Sequence, residues 1–418
     1  MRSEFDDLPI YFIVGAFALD NAVNYFAAVP VYVASIPVSI LLMFRFTRDQ
    51  MDRLWFIVCL LLLMASVLVN FARFRTSIED VSDILFLAQF FSAFFYARNA
   101  RVSPSAISHA TYVFALLFLP ALIGINASGF GEDVDAFASG STDVEFLRIY
   151  NQGLYRLPHV ASYMLAFSSL WWTYIATHSR KARHLMFAAL FFLFTLYTGS
   201  RTPVIVMAAA YLVANIRLRV REMSIIAGIV TLTALLFAYM TEILNALFGS
   251  FLYQYVSFFE TMHDNFDRLS RVIIWNSWWS AISSFNALDF FVGRNFSSSF
   301  DFNSREIGLY IWFHNDFLSA FYSYGIWVFV AFVVPHLLAI KRSFQIASSS
   351  RLLSMLGFYI VAAAFVNGLY KYLPVLFFVL LFSDDVAVAA YSRGDRSSGD
   401  TVPDGAGTEE GGHVASAR

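Results

Sequence analysis

The chain has 418 residues, of which 59% are hydrophobic and only 14% charged, with a formal net charge of -2. Water-soluble domains run to about 45–50% apolar and about 25% charged, so a soluble fold is excluded, and the near-neutral balance offers nucleic acid no electrostatic footing. The single cysteine, Cys59, lies inside an apolar run, which excludes a disulfide within the chain and a cysteine metal site.

Apolar runs near the roughly 20-residue spanning length recur along the chain. They predict an all-α polytopic membrane protein of about 12 transmembrane helices with a large extracytoplasmic loop. A closed barrel needs strict alternation, and runs such as Trp55 to Val69 do not alternate. Glu4, Asp6 and Asp7 precede the first run, so it lacks the basic start of a cleaved signal and reads as a retained anchor.

In chain order, 8–44 reads as a tight hairpin of spans near 8–22 and 24–44, turning between Asp20 and Asn24. A cationic loop (Arg45, Arg48, Arg53) leads to spans near 54–72 and 81–97, and Arg98 and Arg101 mark the next cationic loop. The span near 109–127 runs into an acidic loop holding Glu132, Asp133, Asp135, Asp143 and Glu145. Another span, 157–176, reaches Arg180, Lys181 and Arg183. Residues 185–216 read as a second hairpin, punctuated by Gly199 and Pro203, that returns to Arg217, Arg219 and Arg221. After a span at 224–244 comes the large loop, 245–313, followed by spans at 315–339, 352–369 and 373–390. The transmembrane domain thus covers 1–390, and the Gly-, Ser- and Asp-rich tail, 391–418, reads as a disordered cytoplasmic segment.

Clustered Lys and Arg in short loops mark the cytoplasm. Both termini are then cytoplasmic, in a multi-pass protein of the cytoplasmic (inner) membrane. Loop 128–156, the Thr198–Arg201 turn, 245–313 and Lys371 face the periplasm or exterior. Cations on that outer side run against the rule and are therefore informative.

Arg201 stands at the outer mouth of the second hairpin beside Tyr197, Thr198, Ser200 and Thr202. Its planar fork suits a bidentate phosphate, and the plain alternative is snorkelling to headgroups. In 269–282, Leu269, Val272, Trp275, Trp279 and Ile282 share one helical face, as in a helix lying in the membrane interface. Arg271 precedes Trp275 by four residues, so its guanidinium can stack on that ring while facing a lipid phosphate; an ordinary amphipathic anchor explains the same pattern. His314 precedes Asn315 and Asp316 at the start of a span. A neutral imidazole there can accept a proton from a sugar hydroxyl, with Asn315 or Asp316 orienting it; a headgroup-level histidine bonded to backbone is the plain alternative. Asp133 and Asp135 have the spacing of a divalent-cation pair, but their acidic surroundings favour a solvated face. No zinc, P-loop or dinucleotide spacing occurs, and Gly15, Gly124 and Gly228 read as helix-packing contacts.

At Thr198–Pro203, Arg271–Trp275, Gly293 and His314-Asn315-Asp316 the chain resembles the O-antigen ligase and O-antigen polymerase superfamily. The likeness covers about 185–340, in order and with the outer loop in the expected place. It implies a metal-independent, cofactor-free C-type glycosyltransferase acting on undecaprenyl-diphosphate-linked glycans at the outer face. Arg201 and Arg271 would hold the donor diphosphate, with Arg268 a second candidate for the role of Arg271. His314 would be the general base on the acceptor, giving inversion; Ser200, Trp275, Asn315 and Asp316 would support these groups. The acceptor would be a glycan or a lipid-linked glycan, in O-antigen or exopolysaccharide assembly, with membrane lipids and other polysaccharide-assembly proteins as partners. The rival expectation is a polytopic transporter or a flippase for lipid-linked glycans.

Overall fold

The computed structural model describes residues 4–24, 30–127, 151–179, 181–215, 270–308, 310–346, 351–366 and 368–382. Among the described residues the chain is helical, with no strand. The helices are α1 (Leu8–Asn24), α2 (Val31–Phe46), α3 (Gln50–Arg73), α4 (Ile78–Asn99), α5 (Pro104–Phe118), α6 (Pro158–Ser179), α7 (Ala182–Tyr197), α8 (Arg201–Asn215), α9 (Ser270–Ser283), α10 (Ala287–Val292), α11 (Ser297–Ile307), α12 (Asp316–Ile346), α13 (Arg351–Val366) and α14 (Pro374–Phe382). Three stretches are long and apolar enough to cross a membrane: Gln50–Arg73, Pro104–Ile123 and Asp316–Ile346. The first expected hairpin forms as a packed pair of α1 and α2, with α2 beginning at Val31; both helices of the second form, but α8 packs chiefly against α13 and only slightly against α7. The acidic loop with Asp133 and Asp135, the span at 224–244, Arg268 and the tail 391–418 lie outside the described residues.

Local chemistry places the helix ends. The Asp49 side chain caps α3 by accepting from the amides of Met51 and Asp52, while Ser77 and Asp80 close a reciprocal capping box on α4. Ser103 caps α5, with Pro104 in its first turn. Pro120 cannot continue an α-helix, and the chain tightens into a 3₁₀ turn, Leu119–Ile123, so the span expected at 109–127 both starts and ends earlier, at Pro104 and Ile123. Gly124 ends that turn at φ 79°. The packing role expected for Gly15 and Gly124 is not found: a Cβ at either would meet open space.

Three helices are central. Residues Leu87 to Ala97 of α4 are all buried, as are Pro374 to Leu381 of α14 and Val160 to Trp172 of α6. A helix apolar on every side needs neighbours all round, and α4 has them in α2, α3, α12 and α14. Phe90 illustrates the packing, with ring centroids of Phe332, His336 and Phe378 at 4.8, 5.3 and 5.3 Å. The outer helices turn large apolar side chains outward, among them Trp55, Leu61 and Leu68 of α3. Such a surface suits lipid and would be a liability in water.

The feature that shapes one end of the bundle is a break in α12. At Gly325 the backbone leaves helical geometry (φ 75°, ψ -174°). A Cβ at Gly325 would strike the backbone of Phe291, and one at Gly293 would strike that of Ser323, so the two glycines let the α10 end and the α12 break lie backbone to backbone. The amides of Arg294 and Asn295 donate to the carbonyls of Tyr322 and Ser323 at 2.9 and 3.2 Å. From α3, Ser66 donates to Val292 and Tyr324 carbonyls, and Asn70 to those of Val292 and Ser323, at 2.6–3.0 Å. A helix can be broken at membrane depth only where neighbours bond the freed backbone groups, and these two polar residues of α3 do so.

Candidate active site at one end of the bundle

The end marked by the break gathers several otherwise distant elements. Asp80, at the start of α4, accepts from the amide and hydroxyl of Ser297 at 2.8 and 2.7 Å. Arg73, at the end of α3, and Arg294 both pair with the buried Asp289, Arg294 through two nitrogens at 3.0 and 2.7 Å. Burial alone would raise the Asp289 pKa, but the bonds from Arg294, Arg73 and the Asn286 amide outweigh it and hold the carboxyl below its usual range.

At the centre of this end lies an ionic cluster that the sequence reading did not anticipate. Asp83 of α4 pairs with Lys371 at 2.8 Å and accepts from the hydroxyls of Tyr324 (2.7 Å) and Tyr370. The Lys371 ammonium lies 3.6 Å from the Phe296 ring centroid and 4.6 Å from that of Trp312. Trp312 also neighbours His314, with ring centroids 4.9 Å apart, and Phe296, at 6.0 Å. One indole thus touches both a cation and an imidazole.

His314 has φ 50°, and the only other non-glycine residues with positive φ among the described residues are Asn295 and Leu373, both at this end. Each such conformation costs roughly 1–3 kcal/mol, and strain of this kind concentrates where surrounding structure holds a functional geometry. The neighbours assigned to orient His314 have other hydrogen bonds. The Asn315 side-chain oxygen caps α12 by accepting from the amides of Phe317 and Leu318 at 3.0 and 3.1 Å. One oxygen of Asp316 accepts from the amides of Leu369 and Tyr370 at 2.5 and 3.1 Å, fixing the turn that carries Lys371. The second Asp316 oxygen and the hydroxyls of Ser319 and Ser323 are buried with no hydrogen-bond partner among the described residues. At positions i, i+3 and i+7 they form one polar stripe on α12, which suits buried water.

Ser200 and the start of α8 join this end through α6. The Ser200 hydroxyl is 2.7 Å from His159 Nδ1, and Gly199 (φ 74°) turns the chain between α7 and α8. One turn along α6 from His159, the Tyr163 ring stacks on Tyr372 with centroids 6.1 Å apart. The connection therefore runs from Ser200 through His159, Tyr163 and Tyr372 to Lys371, Trp312 and His314. Arg201 opens α8 and Arg271 lies in the first turn of α9; their side chains, like Arg268, lie outside the described residues. His159 went unremarked in the sequence, yet it has the signature that singled out His314: a titratable side chain at the start of an apolar helix.

Residues Ser270–Ser283 form α9, whose buried face is Ile274, Ser277, Trp278 and Ala281; of the stripe expected at the membrane interface, Trp275 and Ile282 are half-buried and Trp279 is 67% exposed. Small residues at 277 and 281 admit neighbouring chain. Ser277 bonds Asn303 of α11 at 2.5 Å, and the Trp278 indole donates to the Leu318 carbonyl at 3.0 Å. Helix α9 is thereby a packed wall of a second small core with Phe313 and Tyr322. Trp275 lies between, its ring 5.2 Å from that of Phe365 on α13.

Among the described residues no group of three or more His, Cys, Asp or Glu side chains could hold a metal ion. No known family model matches the chain, and no curated protein matches it.

Proposed function

We propose that the chain is a membrane glycosyltransferase of about 12 spans, with cytoplasmic termini and the site at the broken end of α12 facing outward. It would move oligosaccharide repeat units from undecaprenyl diphosphate to a glycan acceptor, with polymerisation preferred over ligation because no residue points to a lipid A acceptor. His314 takes the proton from an acceptor hydroxyl. That oxygen bonds to the anomeric carbon from the face opposite the diphosphate, and the departing C–O bond leaves its electron pair on undecaprenyl diphosphate, with inversion. Arg201 and Arg271, with Arg268 in reserve, offset the charge of the diphosphate, where charge-assisted contacts in a poorly screened site are strong. The observation that carries the proposal is that His314 and the Lys371 cation both lie against Trp312, beside the polar stripe of α12.

The test is turnover by purified protein given an undecaprenyl-diphosphate oligosaccharide. His314→Ala should reduce formation of longer glycans about 10²- to 10⁴-fold while the protein retains its unfolding transition, and EDTA should leave the rate unchanged. Full laddering by the variant would remove His314 as the base; sensitivity to EDTA would bring Asp133 and Asp135 forward as metal ligands. The broken helix α12 and the buried Asp83–Lys371 pair are features that transporters and flippases share. Movement of labelled lipid-linked glycan across proteoliposomes, with no covalent product, would decide for that class.

A further inference from the structure

Far from the candidate active site, the ends of α4, α12 and α14 enclose a cavity of about 260 Å³ lined by Arg98, Leu338, Lys341, Arg342, Gln345 and Phe382. It belongs to the opposite end of the bundle, because α4 and α12 each begin at the active-site end, at Asp80 and Asp316. Three of its six lining side chains are cations. Arg98 is held by Asp52 at 3.0 Å and lies over the Phe94 ring at 5.7 Å, and the Arg342 Nε donates to the Leu381 carbonyl at 3.4 Å. The cations therefore occupy fixed positions, with Asp52 outside the lining. Lys341 is exposed between Leu337 and Phe344, which are 57% and 76% exposed on the same face of α12. The cavity thus combines a basic wall, an apolar floor of Leu338 and Phe382, and an apolar flank.

We propose that this cavity binds the phosphate headgroup of an anionic phospholipid, whose acyl chains run from it along the exposed Leu337, Val334 and Val330 face of α12. Guanidinium forks suit phosphate oxygens, and basic pockets between membrane helices take anionic headgroups. The proposal rests on placement of the bundle in a bilayer and not on glycosyl transfer, so loss of the transferase assignment would leave it standing.

The experiment measures retention of phosphatidylglycerol by the full-length protein in phosphatidylcholine nanodiscs, by mass spectrometry across a series of mole fractions. Each cation near the surface contributes about fivefold, so Lys341→Gln/Arg342→Gln should weaken retention about 20- to 30-fold. Arg45→Gln/Lys181→Gln, which removes two exposed cations outside the cavity, should leave it within about twofold. An unchanged unfolding transition in pure phosphatidylcholine verifies that both variants are folded. Equal losses in the two variants, or none in the first, would overturn the site. Competition by inorganic phosphate at concentrations matching the lipid would show a free-phosphate site instead. Retention appearing only after Asp384→Asn/Asp385→Asn would show that the chain's own acidic residues occupy the cavity.

Discussion

At the cavity end of the bundle, Arg48 pairs with Asp6 and Arg98 with Asp52 while the arginines stay 53% and 38% exposed. At the active-site end, Arg73, Arg294 and Lys371 pair through side chains only 15–22% exposed, with carboxylates of Asp289 and Asp83 almost fully covered. In the first group solvent reaches the cations, although Asp6 and Asp52 are only 4% and 8% exposed, so loss of a carboxylate there leaves a cation that water stabilises. In the second group both partners are covered, and an uncompensated buried charge costs several kcal/mol. One end tolerates loss of a carboxylate; the other has made its backbone geometry conditional on its ion pairs.

The sharpest way to break this contrast is to neutralise one carboxylate at each end. Asp289→Asn strips two cations of their partner and loosens the Asn286 cap, so it should lower stability by about 3–5 kcal/mol. Asp52→Asn, which faces a half-exposed Arg98, should cost about 1 kcal/mol or less. Thermal unfolding in detergent measures both, and equal losses would show that burial does not separate the two ends. The pH dependence has a definite sign. The folded pKa of Asp289 is depressed, so the unfolded chain binds the proton more readily. The contribution of Asp289 is fully present above the unfolded value of about 3.9 and disappears as pH falls through the folded value. The gap between wild type and Asp289→Asn should therefore stay constant from neutrality to about pH 5 and close only in stronger acid.

The second contrast is between a glycine of α12 and one of α1. Gly325→Ala places a Cβ in the backbone of Phe291 at a φ that disfavours it, whereas alanine at Gly15 enters open space. The first should cost at least about 1–3 kcal/mol, and the second should be neutral or slightly stabilising, since helical alanine is preferred to glycine. Gly293→Ala strains the same backbone contact from the other side, so the double substitution should cost less than the sum of its parts. Strict additivity would mean that the two glycines are not facing halves of one contact.

Much of the scaffold was legible because apolar run length is a local property. The runs at 54–72 and 81–97 lie within α3 and α4, that at 157–176 overlaps all but its first residue with α6, and Gly199 with Pro203 correctly marked the break between α7 and α8. What escaped was set by distant partners. Asp83 and Lys371 meet across 288 residues, so no window of sequence connects them. His159 finds Ser200 only when α6 lies against the α7–α8 turn. The break at Gly325 was hidden because an apolar run continues through it, and its support comes from Ser66 and Asn70 in a different helix.

The same limit explains α9, and there it yields the smallest expected effect. Indoles at 275, 278 and 279 read equally well as interface anchors or as core, because tryptophan serves both. Burial separates the adjacent pair: Trp278 is 8% exposed and donates to the Leu318 carbonyl, while Trp279 is 67% exposed. Trp278→Phe keeps an aromatic ring but removes the indole N–H that donates to the Leu318 carbonyl, and should cost about 1–2 kcal/mol. Trp279→Phe should stay within about 0.5 kcal/mol. Because Leu318 lies four residues beyond His314, the first substitution should also reduce transferase turnover, and the second should not. If Trp279→Phe proved the more damaging in lipid and the milder in detergent, α9 would owe its position to the membrane surface after all, and the wall it forms beside Phe313 and Tyr322 would be secondary to that anchoring.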